Sequence, residues 1–275
     1  MTRLRKALYD AMQARGFAER TQETYVWAVK GLADFYRRAP DRISEADIQV
    51  YLTDLSGRRS PSTVHLAWNG IAFFYRAVLN GFSEDFHPTL PKKRQRQPDI
   101  LSEREVDAIL KQAGGLRNEV ALTLAYSGGL RVDELRSLTW ADIDYDRKLI
   151  RVDQGKGAKD RFTTLADRAI RLLDRYEPKV SGRWLFPGKV QGRPLTESCL
   201  QGVYNRAKER AGVRKRGSIH ALRHAFATHG VERGTPLPAI SHMMGHRSVM
   251  TTMRYVHLAQ WDPRMMRSPM DVQGR

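Results

Sequence analysis

Apolar side chains recur at helical spacing through the first 80 residues. Leu4, Leu8 and Met12 share a face before Gly16, and Tyr25, Val29, Leu32 and Tyr36 share one on a segment that stops at Pro40. Ser44, with Asp47 three residues on, has the spacing of an N-terminal cap for a helix carrying Ile48, Tyr51 and Leu55. Ser60-Pro61 suits the cap and first-turn positions of a fourth helix, along which Val64, Trp68, Ile71, Tyr75 and Val78 are spaced four and three apart. That stripe is assigned to a core rather than to base stacking. The pattern predicts an all-helical bundle as a domain over 1–82.

The periodicity then lapses. Residues 83–98 contain three prolines and the basic side chains Lys92, Lys93, Arg94 and Arg96. A linker is predicted over 83–99. Fully extended it reaches about 50 Å, against a DNA major groove roughly 12 Å wide, so two domains joined by it could take opposite sides of a duplex. The four cations would then track phosphates, the alternative being a solvated basic linker.

A second domain is expected over 100–275. Ser102 and Glu105 form a capping-box pair ahead of Val106, Ile109 and Leu110. Residues 117–127 are helical in pattern up to Gly128-Gly129, and Asp133 is placed to cap a short helix after Arg131. Lys148 to Asp153 and Arg161 to Leu165 favour strands around a Gly-Lys-Gly turn with Lys156 at its tip, and from Leu195 the pattern is helical again, with breaks around Gly212–Gly217 and Gly245. The fold class is thus mainly α: a helical bundle followed by a mixed, mostly helical domain with a small antiparallel sheet.

Charge adds a partner to this outline. Lys and Arg number 47 against 30 Asp and Glu, a net +17, with 16 of the basic and 10 of the acidic side chains in residues 1–98, so the excess is not a tail. A polyanion is expected, nucleic acid ahead of an anionic membrane, because no basic amphipathic helix stands out. A single cysteine, Cys199, excludes an intramolecular disulfide and a Cys-based zinc site and suits the cytoplasm. No apolar run approaches the roughly 20 residues of a membrane span.

Chemistry concentrates late in the chain. His220-Ala-Leu-Arg-His224 places His220 and Arg223 three apart on one helical face, aimed together at an anion. His220 and His224 also have metal-ligand spacing, but Ala221 stands where zinc-peptidase chemistry needs a glutamate, and His224 is assigned a structural, hydrogen-bonded role. Gly245 can end one helix, and Ser248 can cap another that delivers Tyr255. By itself Tyr255 would be an ordinary half-buried aromatic.

Four ordered blocks change that. Ser127-Gly-Gly-Leu-Arg131-Val-Asp-Glu134, Gly155-Lys156-Gly-Ala-Lys159-Asp-Arg161, His220-Ala-Leu-Arg223 and Met244-Gly-His246-Arg-Ser, with Tyr255 nine residues beyond His246, resemble the catalytic domain of the tyrosine recombinases, the phage integrases and Xer-type resolvases. Residues 3–80 more loosely resemble that family's SAM-like core-binding domain. The departures are Gly129 and Met244, which replace other common residues.

The resemblance implies a two-domain DNA clamp that recombines specific duplex sites through a 3′-phosphotyrosyl intermediate and Holliday junctions, as a homotetramer on paired sites. Tyr255 is implied as nucleophile, Arg131 and Arg223 as phosphate clamp, Lys156 as general acid, His220 as proton-transfer partner of the tyrosine, and His246 as a hydrogen-bond donor to phosphate. Glu134 would orient its neighbours, and Lys159 and Arg161 would contact DNA; Lys159 is also the rival for the acid. The chemistry suits these residue types: a phosphodiester opened without water or metal needs a nucleophile, fixed cations on the non-bridging oxygens and an acid for the leaving 5′-oxygen. No cofactor or metal is called for. Two alternatives stand beside this expectation, a DNA-binding protein of the same fold that does not cut and a type IB topoisomerase. The segment after Tyr255, with Leu258 and Trp261, could pack on a neighbouring protomer or fold back on its own domain.

Overall fold

The computed structural model describes residues 2–79, 81–83, 85–92, 97–153, 160–246 and 248–259. The chain divides into two compact units, Met1–Arg96 and Gln97–Arg275.

In the first unit the helices follow the apolar periodicity: α1 (Arg3–Gln13), α2 (Glu19–Tyr36), α3 (Glu45–Arg58) and α4 (Pro61–Val78). Ser44 and Asp47 form the expected capping box, and Ser60 accepts a hydrogen bond from the Thr63 amide with Pro61 in the first turn. Leu8, Met12, Leu32, Ile48, Leu52, Ile71 and Phe74 fill the core. Helices α2 and α4 approach so closely that a Cβ on Gly70 would stand 2.8 Å from the Cβ of Ala28. The stripe on α4 serves this core, with Val64, Ile71 and Tyr75 buried.

Beyond α4 the chain stays on the bundle longer than the sequence predicts. Phe82 stacks on Tyr75 and, with Phe86, surrounds Trp68. The Ser83 amide and hydroxyl both donate to the Glu45 carboxylate, the Thr89 amide donates to Gln49, and His65 meets the Pro91 carbonyl. Two aromatic anchors and these bonds hold much of the segment expected to be linker. Lys92 is exposed, while Lys93, Arg94 and Arg96 lie outside the described residues.

The second unit contains α5 (Glu103–Lys111), α6 (Leu116–Ser127), α7 (Val132–Arg136), β1 (Ile143–Asp144), β2 (Leu149–Val152), β3 (Arg161–Thr164), α8 (Asp167–Tyr176), α9 (Glu197–Arg210), α10 (His220–Glu232), α11 (Leu237–Met244) and α12 (Met250–Val256). The strands form one antiparallel sheet in the order β1-β2-β3, with Ile143 opposite Ile150 and Val152 opposite Arg161. Helix α6, buried without a break from Val120 to Ala125, is central and packs against α5, α8, α9 and α10. Around it lie Leu135, Ile150, Leu173, Phe186, Tyr204 and Leu222. A smaller cluster of Ala227, Val231, Ile240, Met244 and Tyr255 joins α10, α11 and α12.

Candidate active site

The site grows from three chain turns. The first follows α6, where Gly129 adopts φ +58°, and a Cβ there would meet the Phe226 ring at 2.4 Å. Only glycine fits both the left-handed backbone and the ring, which accounts for the unusual residue in the first motif block. The turn delivers Arg131 to the N-cap of α7. Here the cap differs from expectation: the Arg131 amide donates to the Glu134 carboxylate at 2.7 Å, while Asp133 points to Arg136 at 2.8 Å. Glu134 wins because, at the third helical position, it reaches back to the orphan amide and also meets the buried cations.

The second turn is the end of α11, where Gly245 is left-handed (φ 61°, ψ 46°) and leaves the last carbonyls without intrahelical partners. Three arginines take three successive ones. Arg161 Nε donates to the Met243 carbonyl at 2.8 Å, Arg223 Nη2 to that of Met244, and Arg131 Nη2 to that of Gly245 at 3.0 Å. The negative end of the helix favours cations there. Glu134 binds the same set, accepting from Arg131 Nη1 at 2.7 Å and from Arg161 Nη1 and Nη2 at 2.9 and 2.7 Å, with Arg223 Nη1 3.8 Å away.

The predicted role of Arg161 is thereby corrected. Its side chain is 2% exposed and its nitrogens are engaged by Glu134 and Met243, so it braces the site from inside rather than facing a DNA phosphate. Inward direction follows from strand alternation: Arg161 and Thr163 are buried while Phe162 is exposed. Arg131, by contrast, keeps a side-chain exposure of 39%. Arg223 is buried at 5% exposure and donates further to the Gly129 carbonyl.

The third turn leads from Gly245 into α12. His246 lies with Nε2 3.3 Å from Arg223 Nη2 and Nδ1 2.8 Å from Thr252 Oγ1, and its ring is parallel to that of Tyr255 with centroids 6.5 Å apart. Ser248 accepts from the Met250 amide at the start of α12, which carries Thr252 and Tyr255 inward one turn apart. Tyr255 is 2% exposed. Its hydroxyl is 2.9 Å from Nδ1 of His224, whereas His220, expected to serve the tyrosine, is exposed at the first turn of α10. The four-residue step between the histidines decides which one α12 covers.

Electrostatics follows from this crowding. Burial opposes charge on Glu134, but hydrogen bonds from Arg161 and from Arg131 overcome it and bring its pKa down to about 2. Burial and the nearby Arg131 lower Arg223 to about 10. His246 falls to about 4 through burial and then Arg223 and Arg131; His224 falls to about 4 through burial and then His220, Arg254 and Arg223. Both imidazoles are neutral at pH 7. Burial raises the Tyr255 phenol, while Arg223, Arg254 and Arg131 pull the other way.

Lys156, Lys159 and the segment from 260 on, with Trp261, lie outside the described residues; Leu258 is partly buried against the cluster around Tyr255. Among the described residues no three His, Cys, Asp or Glu side chains gather to hold a metal ion, and no helix is long and apolar enough to cross a membrane. Sequence reasoning missed the run of carbonyls closing α11, Thr252 behind His246, and His224 on the phenol. The carbonyls depend on a helix end, His224 and Tyr255 are 31 residues apart, and Thr252 meets His246 only across the turn from α11 into α12; the left-handed signal of Gly245 alone was open to the sequence.

Comparison with known proteins places this geometry. Residues 99–261 match the phage integrase family model and residues 4–83 its N-terminal SAM-like domain. The Sinorhizobium fredii y4qK protein, an integrase/recombinase by name, is 36% identical over 94% of this chain and 85% of its own. Tyrosine recombinase XerD of Pseudomonas aeruginosa is 33% identical, covering 86% of this chain and 90% of its own. Among solved structures, a lambda integrase dimer bound to a COC′ core site superposes with TM-score 0.76 at 20% identity, over 94% of this chain and 78% of that one. XerH bound to its difH substrate gives 0.73 at 20%, over 92% and 81%. With both of its units matched in order and relatives above 30% identity along most of its length, the chain belongs to the phage integrase family of tyrosine recombinases.

Proposed function

We propose that this recombinase cuts and rejoins specific duplex DNA sites by transesterification, with Tyr255 as nucleophile. The carrying observation is that Arg131, Arg223, His246 and Tyr255, spread over 125 residues of sequence, meet around the end of α11. In the step envisaged, the Tyr255 oxygen attacks phosphorus, the bond to the 5′-oxygen breaks, and a 3′-phosphotyrosyl link and a 5′-hydroxyl result. The linkage conserves the phosphodiester's energy, so a second 5′-hydroxyl can reverse the step without a cofactor.

Arg131 and Arg223 would neutralise the non-bridging oxygens, arginine being suited because it stays charged even when burial lowers its pKa. His246 would add a hydrogen bond to phosphate, Lys156 would protonate the leaving oxygen, and Glu134 would hold the guanidinium groups in place. Lys92, Lys93, Arg94, Arg96 and Lys159 would lie along the backbone. The relatives crystallised on DNA support duplex DNA as partner, and the net charge of +17 supports a phosphate-led interface. Closure of the two units around the duplex, assembly as a tetramer on paired sites, and a cytoplasmic location belong to the same reading.

Tyr255→Phe tests it. Duplexes enriched by the protein from a randomised pool should give a wild-type adduct that survives denaturation, and the variant should bind them equally and form none. An adduct in the variant would overturn the assignment. Bound sites without any wild-type adduct would favour the non-cutting alternative, and relaxation of a plasmid holding one site would favour the topoisomerase.

A further inference from the structure

The hydroxyl of Tyr255 and Nδ1 of His224 are 2.9 Å apart, in the half of the site where α12 lies on α10. The rings are tilted at 42° with centroids 5.8 Å apart, so the contact is edge-on through these two atoms. Neutral imidazole carries hydrogen on one nitrogen only, so a phenol that donates to Nδ1 selects the form with hydrogen on Nε2. His220 stands one helical turn back and is exposed.

Resting on the reading of Tyr255 as the nucleophile, we propose that His224 accepts the phenol proton at Nδ1 when the strand is cut and returns it when the strand is resealed. The step balances. As the oxygen–phosphorus bond forms, the phenol proton passes to Nδ1 and leaves an imidazolium; as the bond to the 5′-oxygen breaks, that oxygen takes a separate proton from the general acid. Rejoining reverses both transfers.

The charged surroundings make the transfer depend on DNA. Burial first, and then His220 on α10, Arg254 on α12 and Arg223 on α10, keep the free protein's imidazole neutral and thus able to accept. A phosphate bound between Arg131 and Arg223 offsets those cations and raises the proton affinity of the ring. The base therefore strengthens only when a scissile linkage is present.

The test uses duplexes enriched as above and nicked beside the cleavage point, so that each adduct is trapped. In single turnover His224→Asn, which keeps an acceptor near Nδ1 but cannot hold the proton, should form adduct about 10²-fold more slowly, with DNA affinity and melting temperature unchanged. Added imidazole should partly restore His224→Gly. A sulfur in place of the bridging 5′-oxygen leaves without a proton, so it should rescue Lys156→Ala and leave His224→Asn slow. Wild-type rates in His224→Asn, or its rescue by sulfur, would overturn the proposal; should that variant not fold, His224→Gln is read in the same way. Absence of any wild-type adduct would instead remove the nucleophile reading, and the role of His224 with it.

Discussion

In the α1–α4 bundle the buried positions are Leu8, Met12, Leu32, Ile48, Ile71 and Phe74, whereas at the end of α11 a carboxylate and two guanidinium groups are packed out of water with a third half-exposed. The bundle gains from area removed from water, at about 25 cal/mol per Å², a term that involves no titrating group. The α11 cluster gains only if every charge keeps its partner, because an unpaired buried ion costs several kcal/mol. The first arrangement tolerates change in proportion to volume; the second fails as a unit. Packing Glu134, Arg161 and Arg223 together therefore makes the second unit sensitive to conditions that the bundle's core resists.

Glu134→Gln breaks the comparison hardest. It keeps shape but removes the charge shared by Arg131 and Arg161, leaving Arg161 without its counter-ion. A loss of about 3–5 kcal/mol is expected in the second unit, read by hydrogen exchange as lost protection in α7, β3 and α11, with α1–α4 unchanged. Equal loss in both units would show that the cluster's charge has no local account. Leu32→Ala is the complement: Leu32 is fully buried, so about 2–5 kcal/mol should disappear from the bundle, by the same amount at pH 5 and pH 8.

Acid separates the units without mutation. His224 and His246 have folded pKa values of about 4 against an ordinary 6.5, so the unfolded chain binds protons first as pH falls. Their contribution is complete above pH 6.5 and is lost as pH drops toward 4. Glu134, at about 2 against 4.5, adds its loss below pH 4.5. In the bundle Asp47 is held low by hydrogen bonds from Ser44, and its contribution begins to fall only below 3.8. Melting followed from pH 8 to 4.5 should thus lower the second unit's transition and leave the first nearly fixed; parallel shifts would refute the histidine assignment.

The same contrast governs what could be seen in the chain beforehand. Helices α1 to α4 repeat their apolar residues every three or four positions and carry local caps such as Ser44 and Ser60, so neighbours in sequence specify them. Helix α8 carries a similar signal in Ala169, Leu172, Leu173 and Tyr176, while β1, two residues long, carries none. The motif blocks located Arg131, Arg223, His246 and Tyr255, but not the inward turn of Arg161 or the choice of His224 over His220. Those depend on strand phase and on the helix laid across α10, neither of which adjacent residues report. Phe82 and Phe86 were hidden for a related reason, since two aromatics among prolines acquire meaning only beside Trp68.

The smallest effect is expected where the units do not differ. Ser44 and Ser102 each cap a helix through the same box, accepting from the amide three residues on while Asp47 or Glu105 bonds the cap residue's own amide. Replacing either serine by alanine removes one acceptor for one orphan amide and should cost about 1 kcal/mol, in the bundle and in the second unit alike. Glu105 also binds Lys215, so its carboxylate stays anchored after Ser102→Ala, whereas among the described residues the Asp47 carboxylate is hydrogen-bonded to Ser44 alone. Ser44→Ala should accordingly be the costlier of the two by a few tenths of a kcal/mol, measurable as a difference in denaturation midpoint. The reverse order would mean that the second unit's charges reach caps far from α11, and that its fragility is not confined to the cluster around Glu134.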